Sequence, residues 1–152
     1  MTEDKTNPNW TDTRPRNSRA IKYRKGYKYQ LAEDFNIHTS ITGYNVRCEF
    51  IRLTADGVLT IKKGYASDGP SGPTIDTLNF MRGSFVHDAL YQLIRAGLIP
   101  GGCKDIADSM LYVLCLEDGM NAVRAYFVYR AVRWKGADAL YPSSDNQIIV
   151  AP

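Results

Sequence analysis

The hydrophobic pattern of this chain changes across the stretch Ser67-Asp68-Gly69-Pro70-Ser71-Gly72-Pro73. Before this stretch apolar residues alternate with polar ones, as they do in half-buried strands. After it they recur with the period of an amphipathic helix. The glycines and prolines of the stretch itself break regular structure. We therefore predict an α+β fold, in which a small antiparallel β-sheet is followed by a glycine-rich loop and a three-helix cluster.

The strand region extends from Tyr27 to Ile61. Its clearest alternation predicts one half-buried strand whose apolar side is formed by Tyr44, Val46, Cys48 and Phe50. Thr54-Ala55-Asp56-Gly57 predicts a hairpin turn, because Gly57 can adopt a positive φ. The partner strand after this turn is predicted to be Val58-Leu59-Thr60-Ile61.

Two helices follow the loop. The first carries an apolar stripe and is ended by Gly97, and the second runs from Lys104 to about Leu116 and is ended by Gly119. The second is apolar almost all round, which predicts a central position. Because the connection around Pro100 is short, we expect the two helices to be antiparallel neighbours.

A third helix is predicted to end near Gly136. We expect one of its faces to lie in the core and the other in solvent. One side of this helix carries Val123, Tyr126, Phe127, Arg130, Ala131 and Trp134.

Composition limits the class of protein. The chain has 152 residues, of which 44% are hydrophobic and 23% charged, as expected for one globular domain. No apolar run approaches the ~20 residues that span a bilayer, and the first residues lack the apolar core of a secretory signal. The three cysteines include no CxxC pair, which predicts reduced thiols and no zinc site. We predict three parts: a basic extended arm (1–27), an α+β domain (28–137) and an extended tail (138–152).

The net charge of +3 is concentrated at one end of the chain. Residues 1–28 contain eight Lys and Arg side chains against three acidic ones. Such an arm is either a solvated tail or a docking segment for an acidic protein surface, nucleic acid or phospholipid head groups. No phosphate-loop or dinucleotide-binding motif is present, so no specific nucleic-acid partner is predicted.

The chemistry-bearing residues lie on the first helix after the loop. His87 and Tyr91 are four residues apart and share one helical face. Asp108 on the antiparallel second helix can face both of them. A carboxylate that holds one imidazole nitrogen leaves the other free to accept a proton from water. The sequence therefore predicts a candidate catalytic group of His87, Tyr91 and Asp108.

Asp88 points about 100° away from His87 around the helix. Together with Asp68 and the loop backbone at Gly69 and Gly72, it offers oxygen ligands of the kind that calcium prefers. The alternative is a structural polar network, in which the same side chains fasten the loop, sheet and helices together. The residues alone leave both alternatives open.

Four ordered motifs between residues 28 and 137 resemble a family of unknown function found in tailed bacteriophages and prophages. They are the segment 65–73 with its glycine-rich loop, His87-Asp88-Ala89-Leu90-Tyr91, Ala107-Asp108, and the segment 129–136. The resemblance implies a phage origin and brings no established activity. Taken with the basic arm and the apolar run Ile148-Ile149-Val150 at the other end, it leads to the interpretation of a phage virion or tail-associated structural protein that docks to other virion proteins through its terminal arms. It also implies a location in the host cytoplasm during assembly and afterwards in the virion.

The loop, the His-Asp-x-x-Tyr helix and the Asp on an antiparallel helix are also similar to secreted calcium-dependent phospholipases. This more distant resemblance implies a general base at His87, oriented by Tyr91 and Asp108. It places calcium at Asp88 and at the carbonyls of Gly69 and Gly72. The implied activity is hydrolysis of host membrane phospholipid during genome entry or lysis, and this is the alternative to the structural role.

Overall fold

The computed structural model describes residues 20–24, 29–67 and 77–140. Antiparallel strands come first and three α-helices follow, so the predicted α+β class is confirmed. The strands are β1 (Tyr23–Arg24), β2 (Tyr29–Leu31), β3 (Phe35–His38), β4 (Val46–Arg47), β5 (Ile51–Leu53), β6 (Val58–Ile61) and β7 (Ala66–Ser67). The helices are α1 (Leu78–Arg95), α2 (Lys104–Glu117) and α3 (Ala122–Leu140).

The strands form two sheets where the sequence predicted one. The first has the order β1-β2-β7 and the second β3-β6-β5-β4, with antiparallel pairing throughout. The chain changes sheet at the acidic turn before β3. There Asp34 accepts a 2.8 Å hydrogen bond from the backbone N–H of Lys63, which ties this turn to the end of β6. The turn therefore directs β2 and β3 to different partners.

The predicted strand from Tyr44 to Phe50 is wrong in its extent. The chain folds back between β4 and β5, where the N–H of Cys48 donates to the carbonyl of Ile51. Ile51 and Leu53 are fully buried and pair with β6. Tyr44, Val46, Cys48 and Phe50 are partly buried against the same core, as their alternation predicted, but the fully buried positions are Ile51 and Leu53 of β5.

The predicted hairpin turn is present. Gly57 has a φ of 91°, and the strand that follows it, β6, pairs with both β5 and β3. A positive φ excludes most side chains at this position.

Helices α1 and α2 are antiparallel neighbours, as predicted. The side chain of Arg82, near the start of α1, bonds Glu117 and Asp118 at the end of α2. Tyr91, two turns further along α1, contacts Asp108 near the start of α2. Gly83 lets the helices approach closely, since a Cβ added there would lie 3.0 Å from Leu111 Cδ1. This close packing fixes which side chains of α1 and α2 meet.

Helix α3 extends beyond the predicted end near Gly136 and reaches Leu140. It packs through Ala125 and Val128 on α2 and Phe80 of α1. Its aromatic side faces outward, with Phe127 66% and Trp134 84% exposed. In the part of the chain that the structure describes, each helix is too short or too polar to cross a bilayer.

Candidate functional site

The central contact of the candidate site joins His87 of α1 to Asp108 of α2. The Nε2 atom of His87 lies 2.8 Å from Oδ1 of Asp108. His87 is 8% exposed and Asp108 is fully buried. The two residues that the sequence predicted to meet therefore do so, and their contact is shielded from water.

Tyr91 completes the predicted group. Its hydroxyl donates a 2.6 Å hydrogen bond to the same Oδ1 atom of Asp108. Its ring lies against the imidazole, with 4.0 Å between the ring centroids. Burial and the neighbouring Asp108 carboxylate both raise the pKa of Tyr91, so the hydroxyl stays protonated and acts as a donor.

Two basic residues that the sequence analysis did not predict also face Asp108. The Nζ atom of Lys104 lies 2.7 Å from Oδ2 of Asp108. An Arg133 guanidinium nitrogen from α3 lies 3.6 Å from the same oxygen and pairs with Asp105. The four-residue spacing of Lys104 and Asp108 is a helical ion-pair pattern that could have identified Lys104. The position of Arg133 depends on how α3 packs and has no such signal.

These contacts keep Asp108 ionised. Burial by itself raises the pKa of the Asp108 carboxyl, but hydrogen bonds from His87, Lys104 and Tyr91 lower it to below its ordinary value. An ionised carboxylate only accepts hydrogen bonds. The Nε2 atom of His87 therefore carries a hydrogen, and in the neutral imidazole Nδ1 has the lone pair.

The second nitrogen of His87 faces Asp88. The distance from Nδ1 to Oδ1 of Asp88 is 4.0 Å, which is too long for a direct hydrogen bond. Burial lowers the pKa of His87, but the two flanking carboxylates, Asp108 and Asp88, raise it by more, so the net shift is upward. Within the described residues, Nδ1 has no hydrogen-bond partner and remains an acceptor when the imidazole is neutral.

Asp88 links the helix to the sheet. Its Oδ2 accepts a hydrogen bond from the hydroxyl of Ser67 at the end of β7, where the loop begins. Its side chain is 36% exposed, in contrast to that of Asp108. Asp88 thus lies at the edge of the buried network, next to the end of β7.

The other predicted calcium ligands, Asp68, Gly69 and Gly72, lie outside the described residues. Among the residues that are described, no group of three or more His, Cys, Asp or Glu side chains could hold a metal ion. Asp88 fits as one oxygen ligand of a hard cation, because its carboxylate is partly exposed. The described residues do not complete such a site.

A groove of about 960 Å³ lies on another side of α2. It is lined by residues of β3 and by Asp105, Ser109 and Met110 of α2, and neither His87 nor Asp108 contributes to it. The groove is therefore separate from the His87 network.

Comparisons with protein-family models, curated proteins and solved structures found no match.

Proposed function

We propose that this chain is a hydrolase in which His87, oriented by Asp108, acts as the general base that activates water. The observation that supports this is the two-sided environment of the imidazole. Nε2 is held by a buried carboxylate, whereas Nδ1 faces the partly exposed Asp88 without a hydrogen bond to it. One nitrogen is thus held in place and the other can accept a proton.

The charges around Asp108 also favour a role beyond structure. A buried carboxylate needs a compensating charge, and Lys104 already supplies one at 2.7 Å. Tyr91 supplies a further donor. The buried imidazole is therefore not required to neutralise Asp108. An ionised, immobilised Asp108 is what a histidine base needs to stabilise the imidazolium that forms when water loses its proton.

The proposed reaction is ester hydrolysis. Water gives a proton to Nδ1 of His87, and its oxygen attacks the ester carbonyl carbon. The same proton then passes to the leaving alkoxide, so the imidazole returns to its neutral form. The distant similarity to calcium-dependent phospholipases makes membrane phospholipid the proposed substrate. Calcium bound near Asp88 would supply positive charge for the oxyanion, and the ligands beyond Asp88 would come from residues outside the described part.

The deciding experiment separates catalysis from stability. We expect release of fatty acid from phospholipid vesicles in the presence of calcium, and a loss of about 10²- to 10⁴-fold in His87→Gln. The free energy of unfolding of this variant, measured in urea, should fall by only about 1–3 kcal/mol. The matched control is His38→Gln, which changes the exposed second histidine on β3 and should retain activity.

The alternative is a purely structural network. In that case wild-type protein would hydrolyse no phospholipid with calcium or with chelator, and His87→Gln would change only stability. That result would reject the hydrolase proposal.

A phage virion role stays a second proposal. The docking arms on which it depends lie almost entirely outside the described residues. Mass spectrometry of purified particles tests it directly, because a structural subunit should be present in the particle in a defined copy number.

A further inference from the structure

Helix α3 presents an exposed apolar face that its packing against the other helices does not use. Val123, Phe127 and Trp134 are spaced so that they lie on one side of the helix. They are 64%, 66% and 84% exposed. Tyr126 is half exposed beside them, and its ring contacts that of Phe127 at a centroid distance of 6.3 Å. Exposed aromatic residues grouped on one helix face indicate an interaction surface.

Over residues 122–135, which form most of α3, the charge has one sign, and the acidic residue of the helix, Asp138, comes after them. Residues 122–135 contain Arg124, Arg130, Arg133 and Lys135 and no acidic side chain. Arg130 is exposed and lies between Phe127 and Trp134 on the same face. Arg124 and Arg133 point toward Thr77 and Asp105, at the flanks of the helix. The face is therefore aromatic and cationic together.

These features favour an anionic bilayer surface over a second copy of this chain. A two-fold pairing of the face with itself would bring two copies of Arg130 together near its centre, where like charges repel. Tyr and Trp rings prefer the level of the lipid head groups, and Arg and Lys next to them bind anionic lipids. An interfacial helix with an aromatic side and basic flanks has this composition.

We propose that the face of α3 formed by Val123, Tyr126, Phe127, Arg130 and Trp134 docks this protein on anionic phospholipid membranes. Helix α3 lies in the membrane surface and does not cross the bilayer. The inference goes beyond the proposed hydrolysis, since docking through this face needs no chemistry at His87. Docking through this face would also place the His87 site close to the membrane surface. The reason is that the side chain of Arg133, next to Trp134, comes within 3.6 Å of Asp108.

Vesicle co-sedimentation tests the proposal. We expect wild-type protein to bind vesicles of phosphatidylcholine mixed with phosphatidylglycerol, and to bind pure phosphatidylcholine vesicles much less. Added salt should weaken the binding, because screening reduces the attraction between Arg130 and the lipid charge. The double variant Phe127→Ser, Trp134→Ser should bind at least about tenfold more weakly. Arg130→Glu should reduce binding to the anionic vesicles specifically.

The control is Val113→Ser, which removes an apolar side chain of α2 that is 48% exposed on another surface. It should bind vesicles like the wild type. His87→Gln should also bind normally, so a failure of the hydrolase proposal can be distinguished from a failure of docking. Circular dichroism should show the same helix content in every variant.

Fluorescence gives a second readout. The chain has two tryptophans, Trp10 and Trp134, so Trp10→Phe leaves Trp134 as the sole emitter. Its emission should shift to the blue when anionic vesicles are added. The proposal is overturned if Trp134 does not respond, or if the double variant binds vesicles as well as the wild type. It is also overturned if analytical ultracentrifugation shows a dimer that the double variant dissociates, because a second copy would then cover the face.

Discussion

Lys104 lies one helical turn before Asp108, and its Nζ atom is 2.7 Å from Oδ2 of that carboxylate. The carboxylate is fully buried and also receives hydrogen bonds from His87 and Tyr91. Each oxygen of Asp108 is therefore matched by a donor: His87 and Tyr91 at Oδ1, and Lys104 at Oδ2. Such a network is stable only while its shared acceptor remains, since every donor would otherwise be left buried without a partner.

Asp108→Ala should destabilise the protein strongly. The substitution leaves the charge of Lys104 and the donors of His87 and Tyr91 without their acceptor, which should lower the free energy of unfolding by about 3–5 kcal/mol. Urea denaturation followed by circular dichroism measures this change. Asp105→Ala is the control, because the Asp105 side chain is 72% exposed and its pair with Arg133 lies in solvent. Similar losses in the two variants would show that Asp108 is not the centre of the network.

Tyr91→Phe should have a smaller effect than Asp108→Ala. It removes one hydrogen bond to Asp108 but keeps the ring that packs on His87, so we expect a loss of about 1 kcal/mol in the free energy of unfolding. Vesicle hydrolysis should fall by about tenfold, because His87 keeps its carboxylate partner but is less firmly oriented. Tyr112→Phe is a matched control: its ring packs on Tyr129, away from His87. If Tyr91→Phe left both stability and rate unchanged, its hydroxyl would have no role.

The candidate site was predictable because its signals are local. The four-residue spacing of His87 and Tyr91 fixes a shared face on α1, and the short connection around Pro100 fixes the direction of α2. Antiparallel packing of the two helices then predicts that Asp108 of α2 lies opposite this face of α1. The approach of Arg133 was not predictable, since it depends on how α3 lies across α2.

The strand region was predicted less well for the same reason. Period-two alternation shows that residues are extended but not where the chain turns back. The change of sheet at Asp34 depends on a contact with a residue far along the chain, Lys63. The fold-back at Cys48 is closed by a hydrogen bond to Ile51, three residues further on, in a stretch with no Gly or Pro to signal a turn. The outward aromatic face of α3 is a similar case. A pattern shows which residues share a side of a helix, but an exposed aromatic side and a buried one look alike in sequence.

Gly57→Ala should destabilise the β5–β6 hairpin. A Cβ at this position would lie 2.5 Å from the carbonyl oxygen of Thr39, and φ is 91°. The clash and the backbone strain should together lower the free energy of unfolding by about 2–4 kcal/mol. Gly119→Ala is the matched control, because its φ is 88° but nothing lies within 4 Å of an added Cβ. Gly119→Ala should introduce the backbone strain without a clash, and should lower the free energy of unfolding by about 1 kcal/mol. Equal losses would mean that the approach of Thr39 has no energetic consequence.

The protonation of His87 should make both stability and activity depend on pH. Its pKa in the folded protein is raised above the ordinary value of 6.5, so the folded state binds the proton more tightly than the unfolded state. The stabilisation is fully present below pH 6.5 and is lost as the pH rises through the raised pKa. Asp108 stays ionised throughout this window, because its own pKa is lowered from 3.8.

Unfolding in urea at a series of pH values should therefore show a larger difference between wild type and His87→Gln at acid pH than at alkaline pH. Hydrolysis should show the opposite trend and increase with pH, because only neutral His87 can accept a proton from water. Asp88→Asn should lower the pKa of His87, measured from its imidazole proton resonances by NMR, since it removes one of the two flanking carboxylates. Glu33→Gln, an exposed charge paired with Lys22, should leave that pKa in place. A titration of His87 that is the same in wild type and Asp88→Asn would show that Asp88 does not act on the imidazole.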